Sequence, residues 1–374
     1  MKARAIAFYL PQYHPVAAND AFWGKGFTEW TNVTKARPLF RGHHQPFLPS
    51  DLGFYDLRVP EVREQQAQLA KEAGIEGFCY WHYWFGNGER VLENIFRDVL
   101  ATGSPDFPFC LGWANESWTG KWHGLENEII FEQKYPGTTD YTEHFSCLLP
   151  AFHDKRYMRV DGKPIFIIYR PDSLPNCVDF CALWNTLALD NGLPGFHFIS
   201  NGYQGAEWCS LNGMSGWAYN RLSVVIESLM AEQSISKSNL PQRLKSKLAK
   251  KLLADQDPLP PYPPSTIKHA PYADYVQKAI HEGLELNEYP VVYPNWDSSP
   301  RLEKRAYILL ESSADLFNSL LAATVQKLQD RPEQQRLLFI KSWNEWAEGN
   351  TLEPSRFHGR SYLDACHQAL CEQQ

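Results

Sequence analysis

Two glutamates three positions apart, Glu345 and Glu348, stand in the stretch Trp343-Asn344-Glu345-Trp346-Ala347-Glu348-Gly349. Tryptophan is seldom fully exposed, and glutamate is almost never buried without a partner. A concave site with indole walls and inward carboxylates satisfies both. Paired carboxyl groups beside flat rings are the working parts of glycosidic-bond chemistry, one serving the leaving oxygen and the other the sugar. Trp343, Asn344 and Trp346 are therefore candidate sugar contacts. The competing structural reading is a turn whose acids cap a following helix.

Similar groupings recur along the chain. Tyr9, Gln12 and His14 cluster near the N-terminus, followed by Trp30 and by His44 in Arg41-Gly42-His43-His44-Gln45-Pro46. Trp81-His82-Tyr83-Trp84-Phe85 places five rings in a row, too many for a core with alternating faces. Trp113-Ala114-Asn115-Glu116-Ser117-Trp118 sets a further carboxylate among aromatics and an amide. Tyr9, His14, Asn115 and Tyr169 are candidate hydrogen-bond donors, Trp113 and Trp118 candidate platforms, and Glu116 a candidate partner for a sugar hydroxyl. Gln12, Trp30, His44, Trp81, His82, Tyr83 and Trp296 complete the expected binding set. The adjacent His43 and His44 point apart and no third ligand stands at metal spacing, so no metal and no cofactor is expected.

The elements that must position these residues follow a repeated pattern. Strands are expected over 5–10, 75–80, 107–111, 165–169, 196–200, 216–219, 289–293 and 337–340, with helices over 60–73, 89–100, 141–152, 180–190 and 309–328 between them. Strands alternating with helices imply a parallel sheet with right-handed crossovers. The chemically unusual residues follow the strands, on the side where the loops of a (β/α)8 barrel gather. The expected fold is thus α/β, a single (β/α)8 barrel spanning residues 1–374, with long loops at its C-terminal face. An insertion is expected at about 221–288, with a basic helix over 243–254. The rival open sheet would want a Gly-rich phosphate turn after the first strand, where Pro11-Gln12-Tyr13 stands instead.

Composition narrows the partners. A net charge of -7 speaks against a nucleic-acid surface. Aromatic content reaches 14%, with 13 Trp and 18 Tyr, which suits a sugar cleft, because a pyranose lays its C–H face on a ring. The eight cysteines are scattered without metal spacing, as expected of thiols kept reduced in a cytoplasm. No transmembrane segment and no signal peptide are expected, and a bacterial cytoplasmic location follows.

AFYLPQYHP (7–15), WGKGFTEWTNV (23–33), LFRGHHQP (39–46), GFCYWHYWF (77–85), PFCLGWANESWT (108–119), RYMRVDGKPIFIIYRP (156–171) and SWNEWAEGNTLEP (342–354) together resemble the WbsX-type proteins of bacterial polysaccharide-biosynthesis clusters, a family similar to glycoside hydrolase family 99. The resemblance covers nearly the whole chain and implies a (β/α)8 barrel. It also implies an oligo- or polysaccharide substrate, a setting in O-antigen and lipopolysaccharide assembly, and glycosyltransferases as partners. Family 99 enzymes are retaining endo-α-mannosidases with two glutamates at this spacing. Carried over by position, Glu345 would deprotonate the sugar 2-hydroxyl, giving a 1,2-anhydro intermediate, and Glu348 would act as general acid and then base. Where that family has His, this chain has Ala347, which leaves the sugar open.

Two alternatives stand beside this expectation. Asn115-Glu116 resembles the Asn-Glu step that ends a strand in many retaining barrel glycosidases, so Glu116 would be acid/base and Glu345 a direct nucleophile, with the carboxyl groups ~5 Å apart. The other function class is a non-hydrolytic glycan-binding or glycosyltransferase-associated barrel, whose sequence signature would be loss of a catalytic acid.

Overall fold

The computed structural model describes residues 3–120, 125–202, 205–219, 222–237 and 259–372. Arg4–Tyr9 forms β1, followed by β2 (Gly77–His82), β3 (Phe109–Trp113), a hairpin of β4 (Trp118–Gly120) with β5 (Leu125–Phe131), then β6 (Arg159–Val160), β7 (Lys163–Ile168), β8 (His197–Ser200) and β9 (Gly216–Trp217). Lys268–Pro271 is β10, Val291–Val292 is β11, Tyr307–Leu310 is β12 and Leu337–Ile340 is β13. The main sheet runs β11-β13-β1-β2-β3-β7-β8-β9, with every neighbour parallel and the short β6 antiparallel on β7. β9 and β11 do not form a ladder. The seam between them is closed just before β11, where Trp217 N–H donates to the Asn287 carbonyl at 3.0 Å and Tyr289 N–H to the Trp217 carbonyl at 2.7 Å. The result is the expected (β/α)8 barrel.

Its strands are apolar because both faces are covered, by the barrel interior and by helices. All six residues of β2 and all four of β13 are buried. Phe8 stacks within 4.9 Å of Trp81 and 5.6 Å of Phe339 inside the barrel. Its neighbour Tyr9 points the other way, donating to Gln66 Oε1 of helix Pro60–Glu72 at 2.7 Å. That helix begins with Pro at its first turn and Glu61 near the positive end, and stops before Gly74, whose φ of +80° suits glycine.

Several boundaries differ from the sequence expectation, each for a local reason. The second strand starts at Gly77, because Ile75 still bonds back to the Ala70 carbonyl at 3.0 Å. The next helix is Glu93–Thr102, since Phe85 and Glu89 close a turn at 2.9 Å before it. Pro290 and Pro294 bracket the seventh barrel strand and confine it to Val291–Val292. Leu309 and Leu310 belong to β12, which pairs with β10 in a separate two-stranded sheet; the helix runs Ala314–Lys327, capped by the Ser313 hydroxyl. The long stretch after β1 holds two short helices, Ala17–Trp23 and Glu29–Lys35. Within the expected insertion the chain forms helix Leu222–Lys237, β10 and helix Tyr272–His281, while the basic segment 243–254 lies outside the described residues. The eight cysteines are free thiols, and no described helix is long and apolar enough to cross a membrane.

Candidate active site

A cleft of about 220 Å³ opens where the strand ends meet. Leu10 and Gln12 enter it after β1, Trp81 and Tyr83 from the end of β2, Ala114 and Glu116 after β3, Tyr169 after β7, and Lys341, Glu345 and Glu348 after β13. Trp118 on β4 and Trp23 and Phe27 from the first long loop add aromatic wall.

The two glutamates are placed by a tight turn. Asn344–Glu345 (β14) pairs antiparallel with Asn350–Thr351 (β15), and Trp346–Glu348 makes one 3-10 turn between them, ended by Gly349 at φ +57°. A side chain at 349 would meet Asp297 at 2.8 Å. Beneath the turn, Asn344 is bonded to both polar groups of the Leu10 backbone, at 2.8 and 3.0 Å. Tyr13 donates its hydroxyl to the Asn344 carbonyl and accepts from Trp346 N–H at 3.2 Å. Glu353 gathers three donors, Gln66 and Trp346 at 2.6 Å and Tyr55 at 2.8 Å. Burial pushes that carboxyl up, to about 7, against the pull of those donors.

Glu345 and Glu348 are themselves buried, at 4% and 8% exposure, and belong to a row of five charged residues. Arg301 lies 3.1 Å from Glu29 and 2.6 Å from Glu348. Lys341 pairs with Glu345 and stands 3.5 Å from Glu348. Glu345 and Glu348 stand close enough for each to shift the other's proton affinity. With a proton on Glu348 the row carries two cations and two anions; ionising Glu348 would leave an uncompensated buried charge. The two acids are pushed apart accordingly. Burial and the Glu345 charge raise Glu348, whereas Lys341, the neighbouring Glu348 carboxyl and Arg301 overcome burial and hold Glu345 well below the ordinary carboxylate range. Tyr83 and Tyr169 are raised by burial and keep their protons as donors.

Of the residues expected from sequence, the cleft brings together Gln12, Trp81, Tyr83, Glu116, Trp118, Tyr169, Glu345 and Glu348. Tyr9, His82, Trp113 and Trp343 do not line it. Tyr9 bonds to helix Pro60–Glu72, as above. His82 Nε2 meets His144 Nε2 of helix Thr138–His153 at 2.8 Å. Trp113 donates to the Trp84 carbonyl at 2.9 Å and packs on Phe180. Trp343 packs on Phe78. His14 is buried at 2% exposure, and Trp30 donates to the Tyr55 carbonyl at 2.8 Å. Asn115 braces its loop, donating to the Arg170 carbonyl at 2.8 Å and accepting from Arg170 N–H at 2.7 Å. Asn344 and Trp346 support the turn from below. His44 and Trp296 line a second cavity, beyond Asp297.

Glu116 is a different kind of carboxylate. Its side chain is 55% exposed and lies 3.3 Å from Arg170. Sequence reasoning missed Lys341, Arg301 and Glu29 as site residues. Lys341 had a signal, a lone cation directly after a buried strand. The Arg301–Glu29 pair spans 272 positions and had none.

The fold is shared with solved structures. A family 99 endo-alpha-mannosidase from Bacteroides thetaiotaomicron, in complex with BIS-TRIS-propane, superposes at a TM-score of 0.54 with 14% identity, over 98% of this chain and 96% of that one. A protein described as glycoside hydrolase-like superposes at 0.57, again with 14% identity, over 99% and 94%. Two relatives named WxcX, from two strains of Xanthomonas campestris pv. campestris, are 36% identical over 372 residues, which is 99% of this chain. The chain spans about half the length of these curated relatives, 50% in each. The family model described as glycosyltransferase WbsX matches residues 5–366, and this barrel with its paired glutamates belongs to that family.

Proposed function

We propose that the chain is a retaining glycoside hydrolase acting on a bacterial or environmental polysaccharide, with Glu345 as base and Glu348 as acid/base. The observation that carries the reading is the opposed state of the two acids. Inside one aromatic-walled cleft, Lys341 pairs with one carboxyl and lowers its proton affinity, while burial and the neighbouring charge push the other up, to about 7. Pairs of titratable groups pushed apart in this way make acid/base assignments.

The step balances without other groups. Glu345 takes the proton of the 2-hydroxyl as O2 attacks C1 of its own sugar, while Glu348 gives its proton to the departing glycosidic oxygen. Glu348, now ionised, deprotonates a water that attacks C1; the C1–O2 bond breaks and O2 recovers its proton from Glu345. Two inversions give net retention. A hydroxyl is a weak acid, so the base must already be positioned against it, which is what the β14–β15 turn and Lys341 supply. Trp81, Trp118, Tyr83 and Tyr169 would hold the sugar ring and its hydroxyls.

The family's description as glycosyltransferase favours a second reading on the same cleft, in which a sugar hydroxyl takes the place of water and the product is a transferred glycan. Glycan binding without turnover is the remaining alternative, and the retention of both acids weighs against it.

The test is incubation of the protein with the surface polysaccharide of its source organism, reading new reducing ends and chain-length changes. Glu345→Gln and Glu348→Gln should each abolish turnover with the fold intact by circular dichroism. Full activity in either variant refutes the assignment. Glu116→Gln decides the acid: a modest loss supports Glu348, and a loss as complete as that of Glu345→Gln supports Glu116.

A further inference from the structure

The motif Arg41-Gly42-His43-His44-Gln45-Pro46 is not used by the cleft. Its residues 42–45 form one wall of a separate cavity of about 340 Å³, completed by Asn295–Asp297, the end of β12 with Glu311 and Ser312, and Phe357-His358. Among the described residues no set of three His, Cys, Asp or Glu side chains there is grouped to hold a metal. The walls are ring pairs, each a phenyl with an imidazole: Phe40 stacked on His43 at 4.5 Å and 8°, Phe47 with His358 at 5.6 Å, and Phe357 with His44. Phe357 is 56% exposed, a large apolar face left open to solvent.

Polar groups converge between these rings. Asp297 is held rigidly, accepting from His43 and Gln45 at 2.7 Å each and from Ser299 N–H at 2.9 Å. The Trp296 indole N–H is shut away from solvent with no acceptor, an unusual state for a strong donor. Glu311, at the rim, holds a left-handed φ of +60°, which a non-glycine residue adopts rarely and at some cost.

We propose that this groove is a second saccharide-binding site, distinct from the cleft and taking one or two pyranose units. Flat rings with the His44 and His358 imidazoles, the Ser312 hydroxyl and the exposed Glu311 carboxylate beside them match a sugar's apolar face and its rim of hydroxyls. The volume lies at the low end of the roughly 300–1,000 Å³ typical of small-ligand pockets, so it suits a short saccharide segment. Only one layer of chain separates it from the candidate acids. Asp297 N–H donates to the Glu348 carbonyl at 2.8 Å, and Lys341, which lines the cleft, lies 5.5 Å above the Trp296 ring, which lines the groove. The groove therefore holds a glycan close to the cleft without touching the reacting bond.

The inference rests on reading the cleft as a saccharide site, and binding separates the two where turnover would not. The Glu345→Gln protein is titrated by calorimetry with α-linked manno-oligosaccharides and, in parallel, malto-oligosaccharides. Two classes of site are expected with at least one series. Phe357→Ala and His44→Ala should each weaken one class about tenfold or more and leave the other unchanged. In the otherwise wild-type protein, Phe357→Ala should leave turnover of the shortest cleavable saccharide unaltered. A single class of site, isotherms indifferent to both substitutions, or no binding of either series at millimolar concentration overturns the groove. A Phe357-dependent site in a protein that cleaves and transfers nothing upholds the groove and sinks the enzyme reading instead.

Discussion

Under the proposed function, Lys341 decides which acid is which. It touches Glu345 directly and reaches Glu348 only at 3.5 Å, so its charge favours the ionised form of the first more than the second. An opposite charge at such range lowers a carboxyl pKa by about 1–3 units. Under the proposed function, Lys341→Met should therefore raise both limbs of the pH profile of kcat/KM, the acidic limb more, and reduce the maximum. Lys341→Arg should restore the profile in large part. An unchanged acidic limb in Lys341→Met would show that Glu345 does not depend on this cation. In the unaltered protein the basic limb is expected near the value to which Glu348 is pushed, about 7, with activity lost above it as that acid deprotonates.

At the scale of the element, the turn after β13 works because it is braced from below. Glu353 accepts from three elements at once: Gln66 on helix Pro60–Glu72, Tyr55 in the first long loop and Trp346 in the turn itself. Glu353→Gln replaces an acceptor oxygen with an amide that faces donors. Leaving buried donors unpaired costs about 1–3 kcal/mol. The variant should lose that much in urea unfolding and lose turnover beyond the loss of folded protein. Equal stability would mean the brace is dispensable.

Elements were also where the sequence was most legible and where it ran out. Strand positions followed from short apolar runs, and the motif 343–349 fell where the cleft needed it. Which ring on a strand faces the cleft was not legible. Strands covered on both faces lack the polar alternation that would mark inside from outside, so Tyr9, His82 and Trp113 looked as suitable as Trp81. Arg301 was hidden for another reason. Its partner Glu29 comes from a distant loop, and no local pattern announces a contact made only when the barrel closes.

The whole molecule depends on that closure. Seven of the eight junctions between barrel strands are ladders, and the eighth is the pair of hydrogen bonds around Trp217. Gly216 makes the close approach possible, since a Cβ there would collide with the Asn287 carbonyl and come within 2.8 Å of the Tyr289 ring. Gly216→Ala should destabilise the barrel by ~1–3 kcal/mol, the usual cost of forcing atoms into a packed site. Thermal unfolding would show it as a lower Tm, and an unshifted Tm would mean that the seam yields without cost.

Eight of the 13 indoles fall into two environments. Trp113, Trp184, Trp217, Trp343 and Trp346 are sealed in the interior, while Trp23, Trp81 and Trp118 border the cleft. A guest settling against the second group would change the polarity around those rings and leave the first untouched. Once Trp296, which lines the groove, is replaced by Phe, intrinsic ultraviolet emission gives this chain an optical gauge of cleft occupancy, usable without dye, label or turnover.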